Sequence, residues 1–189
     1  MSYSINERLN EFQKVLKNTK FSNKVKGDHL LEDGLIDIYK MLILKRTDKK
    51  CLHIVGNGGS SAIASHAAND FINVGQINAY TISDPAIITC LANDYGYENV
   101  FSRRLKLSAS DGDVLIAISS SGESENIINA VNIAKESNME VVTFSGFSEN
   151  NRLRLLGDSN FWCDSSDYGI VEISHQFLLH NLSDRIGNI

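Results

Sequence analysis

The sequence is short of proline, cysteine and long apolar runs, and each shortage excludes a class of protein. Pro85 is the only proline among 189 residues, which argues against proline-rich linkers. The three cysteines lack the spacing of a metal or redox motif, and we interpret them as buried thiols in a reducing compartment rather than as catalytic groups. No apolar run approaches the length of a membrane-spanning helix, and the first residues lack an apolar signal core. We therefore expect a cytoplasmic protein.

Basic residues are also too few to dominate any part of the chain. The 18 lysines and arginines stand against 23 acidic residues, a formal charge of -5, and the two signs are interspersed rather than arranged in blocks. This pattern provides neither a basic surface for nucleic acid nor a polybasic face for a membrane. We expect neither partner, although a small polar or anionic molecule can still bind through local dipoles.

The apolar residues that are present suffice for one core. They make up 42% of the chain, which predicts a single domain over residues 1–189. Residues 1–48 predict a helix pair, with helices at 6–16 and 28–45, and residues 49–189 alternate short apolar runs with helical patterns. The predicted strands lie at 51–55, 78–82, 113–118, 140–144 and 160–163, and the helices lie at 61–73, 86–107 (broken), 126–137, 151–156 and 171–186. This alternation predicts an α/β fold, a flavodoxin-like doubly wound sheet of five parallel strands.

The first and third predicted strands each run into a loop of glycine and serine. The first loop reads GNGGSS from Gly56, and the second reads SSSGESEN from Ser119. In a flavodoxin-like strand order these loops face each other beyond the carboxyl ends of the strands, where open parallel sheets bind ligands. Glycines admit a ligand close to the backbone, helix N-termini offer amide donors, and serines add neutral hydroxyl donors. The loops favour a phosphorylated sugar over a nucleotide, because neither matches a nucleotide-binding pattern.

A less specific interpretation of these loops remains open. Serine and glycine cap helices and form turns in most proteins, so either loop alone is equally well explained by its local structure. Two such loops after alternate strands make that interpretation weaker.

Three segments of the sequence resemble a known family. GNGGSSAIASHAANDF, NDYGYENVFSR and ISSSGESENIINAV are similar to the sugar isomerase (SIS) domain, and within it to the phosphoheptose isomerases, which interconvert sedoheptulose 7-phosphate and a heptose 7-phosphate aldose. The likeness covers nearly the whole chain. It implies an aldose–ketose isomerase that supplies heptose precursors for surface polysaccharides such as lipopolysaccharide or capsule. It also implies a homotetramer with active sites at subunit interfaces.

The resemblance assigns roles to particular residues. The implied substrate contacts are Asn57, Gly58, Gly59, Ser60, Asn93, Asp94, Ser119, Ser120, Ser121, Ser124 and Glu172, of which the serines at 119, 120, 121 and 124 hold the phosphate. The implied metal ligands are His66, Asp70, Glu172 and His180, with one zinc ion per subunit. Spacing alone supports a shared helix face for the first two ligands, four residues apart, but is equally compatible with surface polar residues.

Asp70 and His180 are the candidate catalytic residues. Asp70 would remove the proton next to the carbonyl, and His180 would move the second proton. A metal-bound Asp70 is a poorer free base, and the sequence leaves open which role it has. Asp70 and Glu172 stand where the family usually has glutamate and glutamine, and Ile63 replaces a frequent aspartate. Two alternatives therefore stay open: a non-catalytic phosphosugar-binding protein that regulates or binds a partner, as the DnaA initiator-associating members do, and an isomerase of another sugar phosphate.

Overall fold

The computed structural model describes residues 4–24 and 27–188. The helices are α1 (Ile5–Lys17), α2 (Leu31–Thr47), α3 (Gly59–Asn73), α4 (Pro85–Tyr95), α5 (Val100–Ser108), α6 (Glu125–Glu136), α7 (Arg152–Leu156) and α8 (Tyr168–Gly187), with a 3-10 turn at Tyr97–Asn99. The strands are β1 (Lys20–Asn23), β2 (Gly27–His29), β3 (Cys51–Gly56), β4 (Asn78–Thr81), β5 (Val114–Ser119), β6 (Glu140–Ser145) and β7 (Ser159–Trp162).

One sheet holds the described strands in the order β2-β1-β7-β6-β5-β3-β4. The last five strands in the chain, β3 to β7, pair in parallel, and their order is the predicted flavodoxin-like one. The chain runs from β3 outward to β4 and then returns to β5 on the other side of β3. The order of the strands therefore reverses at β3 and β5, and their carboxyl ends meet at the same rim.

The first fifty residues correct one prediction. The segments Lys20–Asn23 and Gly27–His29 are strands that extend the sheet: β1 pairs antiparallel with β7, and β2 pairs antiparallel with β1. The sequence predicted only helices and a break there. The second helix consequently begins at Leu31 rather than at residue 28. The buried Phe21 explains the strand, because its ring packs against Phe161 with centroids 4.9 Å apart. Four residues are too few to show a strand period, and their partner strand lies far along the chain.

The sheet is covered on both faces. Along β5, Val114, Ile116 and Ile118 belong to the core that includes the described N-terminal helices, α3 and α8, while Leu115 and Ala117 belong to a second core beneath α5 and α6. This alternation is the expected result of side chains pointing to opposite faces of a strand. The packing of α1 and α2 on the first core favours the predicted single domain.

Local sequence fixes the helix ends near the candidate site. Asp84 accepts hydrogen bonds from Ala86 and Ile87 and precedes Pro85, a combination that begins α4. Asp167 caps α8 by accepting from the amide of Ile170. Over the described residues, no helix combines the length and apolarity that crossing a membrane requires.

Candidate active site

The two predicted loops lie side by side. Because β3 and β5 are neighbouring parallel strands, the loops after Gly56 and Ser119 project from the same rim, as predicted. They enclose a cavity of about 290 Å³, which we call the serine cavity. Its lining residues are Asn57, Gly58, Gly59, Ser60, Ile118, Ser119, Ser120, Ser121, Ser124, Tyr168 and Glu172. Neither lysine nor arginine is among them.

Glycine is required where the first loop turns into α3. Gly58 has φ 54° and ψ -121°, a conformation that L-residues with a Cβ rarely adopt. A Cβ on Gly56 would lie 2.5 Å from the carbonyl oxygen of Ser60. The turn therefore brings the N-terminus of α3, with its unpaired amide groups and positive dipole end, against the serine cavity.

The second loop supplies hydroxyl groups to the same cavity. The hydroxyl of Ser119 lies 3.2 Å from that of Ser124 and accepts a hydrogen bond from the amide of Gly122. Ser121 accepts from the amide of Glu123. Ser120 is 5% exposed, and its hydroxyl is buried without a hydrogen-bond partner in the described part of the chain. A phosphate oxygen is the kind of acceptor that would satisfy this donor.

Asn57 is held by its neighbours. Its side-chain amide exchanges two hydrogen bonds with that of Asn126, each of 2.8 Å. The hydroxyl of Tyr97 donates a third bond to the Asn57 Oδ1, at 2.9 Å. Both ends of the Asn57 amide therefore have protein partners, so this side chain has less hydrogen-bonding capacity left for a substrate than the sequence suggested.

Three of the four predicted metal ligands come together between α3 and α8. Asp70 Oδ2 lies 3.3 Å from His66 Nε2 and 3.1 Å from His180 Nδ1, and the Nε2 atoms of the two histidines are 3.0 Å apart. We call these three residues the acid–histidine cluster. The histidine side chains are about half exposed, at 51% and 44%, whereas that of Asp70 is 16% exposed.

The cluster fits a divalent transition metal by its chemistry and by the convergence of its ligand atoms. With one ligand atom from each residue, the three atoms lie within 4.8 Å of one another. His180 meets its two neighbours through different ring nitrogens, Nδ1 toward Asp70 and Nε2 toward His66, and only one of these nitrogens would bind the ion. Two imidazoles and a carboxylate form the kind of three-ligand set that catalytic zinc sites use, with a fourth position left for water or substrate.

Glu172 lies apart from this cluster. The ligand atoms of His66, Asp70 and His180 lie within 4.8 Å of one another, and Glu172 is not part of this group. Its carboxylate instead packs over Gly59, where a Cβ on that glycine would collide with it. Glu172 and His180 are eight residues apart on α8, about 12 Å along the helix axis. Glu172 is therefore placed as a wall of the serine cavity, and the helix pair α3 and α8 joins the cavity to the acid–histidine cluster.

Comparisons with known proteins agree with this arrangement. The family model of the SIS domain matches residues 31–146. The chain belongs to the SIS-domain family. It is 30% identical to the phosphoheptose isomerase of Coxiella burnetii (strain Dugway 5J108-111) over 188 residues, 94% of each chain. It is 47% identical to that of Cytophaga hutchinsonii over 108 residues, which span 54% of this chain and 56% of the relative. The structure of phosphoheptose isomerase from Neisseria gonorrhoeae superposes with a TM-score of 0.84 at 25% identity, covering 97% of this chain and 95% of that one.

Asn93 and Asp94, two predicted substrate contacts, lie outside the serine cavity of this SIS-domain chain. Both are exposed on α4, a helix without a buried residue. The amide of Asn93 donates to Asp94 at 2.9 Å, and the thiol of Cys90 lies 3.6 Å from the other carboxylate oxygen of Asp94. The described subunit does not bring these residues together with the rest of the site.

Sequence reasoning missed three residues that shape the SIS-domain site. Tyr168 lines the serine cavity and packs edge-on against Phe147, while Tyr97 and Asn126 hold Asn57. The segment GESEN contains a signal for Asn126, because an asparagine in the first turn of a helix beside a ligand loop is placed to contact the neighbouring loop. Nothing in the local pattern distinguishes Tyr168.

The remaining histidines and cysteines have other environments. His175 is fully buried and bonds the carbonyl of Ser145, and buried His53 pairs with Asp113 at 3.4 Å. Both contacts are typical of structural residues. Burial raises the pKa of the Cys51 and Cys163 thiols to about 11, so neither is a thiolate nucleophile near neutral pH. Only Cys163 of the three is buried, since Cys51 is half-buried and Cys90 is exposed, which corrects the prediction that all three thiols are buried.

A larger cavity of about 560 Å³ lies beside the edge strand β4, near the start of β3. It contains none of the predicted site residues. Asp113 on its wall accepts bonds from the amides of Cys51 and Ser110 as well as from His53. These contacts account for the buried carboxylate through the structure of the sheet edge alone, so we place the candidate active site at the smaller serine cavity.

Proposed function

We propose that this protein is an aldose–ketose isomerase of sugar phosphates that converts sedoheptulose 7-phosphate to a heptose 7-phosphate. The observation that carries the proposal is one helix pair, α3 and α8, that joins a cation-free serine cavity to a cluster of two histidines and a carboxylate. Relatives that align with 94% of the chain are named phosphoheptose isomerase. This combination favours an enzyme over a non-catalytic phosphosugar-binding protein, since binding alone does not require the cluster.

The serine cavity binds the phosphate in this proposal. Neutral hydroxyls and the amides at the starts of α3 and α6 donate to the phosphate oxygens, and the two helix dipoles favour its negative charge. The unpartnered hydroxyl of Ser120 gains an acceptor on binding. The separation of about 12 Å along α8 between Glu172 and His180 suits an extended seven-carbon sugar, with its phosphate in the cavity and its carbonyl end toward the cluster.

Proton transfer is the task of Asp70 and His180. Isomerisation requires a base to remove the proton from the carbon next to the carbonyl, an acid to protonate the oxygen, and return of a proton to the neighbouring carbon. The Asp70 carboxylate is the candidate base. The 3.1 Å contact from its Oδ2 to His180 Nδ1 lets the histidine orient the carboxylate and exchange a proton with the sugar oxygens.

His66, Asp70 and His180 would hold one zinc ion per subunit. When bound, the ion would polarise the carbonyl group of the sugar as a Lewis acid. Glu172, the fourth predicted ligand, has a different task here as an acceptor for sugar hydroxyls at the cavity wall. We further propose a homotetramer with active sites at subunit interfaces, in which Asn93 and Asp94 on α4 reach a neighbouring site. Supply of heptose to surface polysaccharides and a cytoplasmic location stay predictions.

The decisive experiment is an NMR assay of sedoheptulose 7-phosphate with wild type, Asp70→Asn and His180→Ala. We expect turnover by wild type and losses of at least about 100-fold in kcat for each variant, the usual size of a lost acid or base. Elemental analysis of the same preparations checks the metal. Equal activity in all three proteins would refute these assignments, and bound phosphosugar without turnover would favour the non-catalytic alternative.

A further inference from the structure

The two loops of the serine cavity are joined by the Asn57–Asn126 amide pair. Asn57 is the first residue after Gly56 at the end of β3, and Asn126 lies in the first turn of α6, just beyond the serine loop. Asn126 is 3% exposed. Each amide donates one hydrogen bond to the other and accepts one from it, both at 2.8 Å. The pair thus connects the N-terminal ends of α3 and α6.

A second set of contacts extends this pair to the segment after α4. The Tyr97 hydroxyl donates to Asn57 Oδ1 at 2.9 Å, and the side chain of Asn129, one turn further along α6, donates to the carbonyl of Glu98 at 2.9 Å. Asn57 Oδ1 thereby accepts from two donors, and the bond from Tyr97 fixes the amide with its oxygen toward the tyrosine. The side chain of Asn57 cannot rotate without breaking three hydrogen bonds.

We propose that Asn126 is a positioning residue that aligns the two phosphate-binding loops through Asn57. Asn126 does not line the serine cavity, so it acts on a ligand only through its partner. Asn57 directly precedes Gly58, whose positive-φ turn places the first residues of α3 at the cavity wall. Fixing Asn57 holds that turn against the serine loop before a ligand arrives, and preorganised donors bind an anion more tightly than donors that must be ordered on binding. The inference deepens the proposed function, on which its link to catalysis rests.

The test measures the affinity for inorganic phosphate and for sedoheptulose 7-phosphate by calorimetry, together with melting temperature and steady-state kinetics. Asn126→Leu keeps the approximate volume and removes the amide. We expect affinity for both ligands to fall about tenfold, the value of one or two lost hydrogen bonds, with a matching rise in KM and a smaller change in kcat. Asn129→Ala is the matched control, since it removes a bond from the same helix to the same segment, and its phosphate affinity should stay within about twofold of wild type.

A double-mutant cycle separates positioning from a general loss of stability. If the amide pair acts as one unit, Asn57→Ala and Asn126→Leu each remove both bonds of the pair. The phosphate affinity of the double variant should then equal that of whichever single variant binds phosphate less tightly. Asn126→Gln, which restores an amide on a longer side chain, should recover part of the affinity. The inference would be overturned if the losses of phosphate affinity in the two single variants were fully additive in the double variant. Wild-type affinity in Asn126→Leu would overturn it too, and so would a loss of affinity in Asn129→Ala as large as that in Asn126→Leu.

The inference and the proposed function fail in different ways. Phosphate binding that depends on Asn126, in a protein that isomerises no sugar phosphate, would refute the isomerase and keep the positioning role. Turnover of sedoheptulose 7-phosphate with an unchanged KM in Asn126→Leu would refute the positioning role and keep the isomerase. A wild-type protein that binds neither phosphate nor sugar phosphate would overturn both.

Discussion

At the scale of single residues, Glu172 is the most unusual feature of the candidate site. Its carboxylate lies over Gly59, on the wall of a cavity whose described lining contains no cation. A phosphate that enters this cavity therefore meets a negative charge of the protein without a positive one to offset it. The charge is useful only if it contacts another part of the ligand, such as a sugar hydroxyl that donates to it.

Removing that charge should strengthen binding of the simplest ligand. For Glu172→Gln we expect inorganic phosphate to bind about three- to tenfold more tightly, because a like charge at the cavity wall is lost. Calorimetry at low salt measures the change, and added salt should reduce it. Asp184→Asn is the charge-matched control, twelve residues further along α8 and exposed, and should leave the affinity unchanged. Weaker phosphate binding by Glu172→Gln would show that the carboxylate assists the anion, for example through a bound cation.

The acid–histidine cluster leads to a prediction about zinc affinity. His66→Ala removes one of the three residues whose ligand atoms lie within 4.8 Å of one another, so zinc affinity should fall by at least about 100-fold. Phosphate affinity should change little, because the serine cavity lies about 10 Å away along α3. Competition with a zinc-binding dye measures the first quantity and calorimetry the second. Equal zinc affinity in wild type and His66→Ala would exclude the cluster as the metal site.

At the scale of elements, α8 combines two tasks, since one side carries Glu172 and His180 and another packs into the core through His175. That histidine is fully buried, its ring lies edge-on to Phe144, and its Nε2 donates to the carbonyl of Ser145 at 3.2 Å. Desolvation lowers the pKa of His175 from 6.5 to about 4. Folding is therefore linked to pH through this helix.

Acid should destabilise the protein partly through His175. As the pH falls below 6.5, the unfolded chain binds a proton that the folded chain does not bind until about pH 4, so the free energy of unfolding decreases over this window. The decrease attributable to His175 is about 2 kcal/mol at pH 5. Urea unfolding at pH 7.5 and at pH 5 measures the decrease in the free energy of unfolding between the two pH values. This decrease should be smaller in His175→Gln than in wild type, by about the amount attributed to His175. Burial also lowers the pKa of His53, but this and other acid-sensitive groups are present in both proteins. Identical decreases in the free energy of unfolding in the two proteins would contradict the assignment to His175.

Prediction from sequence succeeded where the pattern was local. The central strands β3, β5 and β6 consist mostly of buried apolar residues, and each loop at the switch point follows its strand directly, so both were predicted from the sequence. The strand at Phe21 failed because its stabilising partner, Phe161, lies far along the chain. For the same reason the sequence showed that Asn57 stands in a ligand loop but not that Asn126 and Tyr97 occupy its amide. The family resemblance grouped Glu172 with the metal ligands, and the described structure places its carboxylate over Gly59, outside the acid–histidine cluster.

At the scale of the whole molecule, several large apolar side chains on α1, α4 and α8 are exposed in the described structure. Ile173 and Phe177 on α8 are 53% and 48% exposed, Leu9 on α1 is 55% exposed, and Phe12 packs edge-on against Phe177. On α4, which has no buried residue, Ile87 is 39% exposed. Exposed apolar residues that lie together, as those of α1 and α8 do around Phe12 and Phe177, usually mark an interface with another chain, which supports the proposed homotetramer.

Assembly and activity should therefore be lost together. Light scattering at micromolar concentration should give wild type a mass of about four times the 20.9 kDa chain. Phe177→Glu should have a smaller mass, because a charge buried in an apolar interface is costly to desolvate. Leu155→Glu is the matched control, since Leu155 lies on α7 and is 68% exposed, and it should leave both mass and turnover unchanged. The half-exposed histidines of the acid–histidine cluster predict that the smaller species turns over sedoheptulose 7-phosphate at least about tenfold more slowly, because the site lacks the neighbouring chain that excludes water. A wild-type monomer would refute the tetramer, whereas full activity in a dissociated variant would show that each subunit contains a complete site.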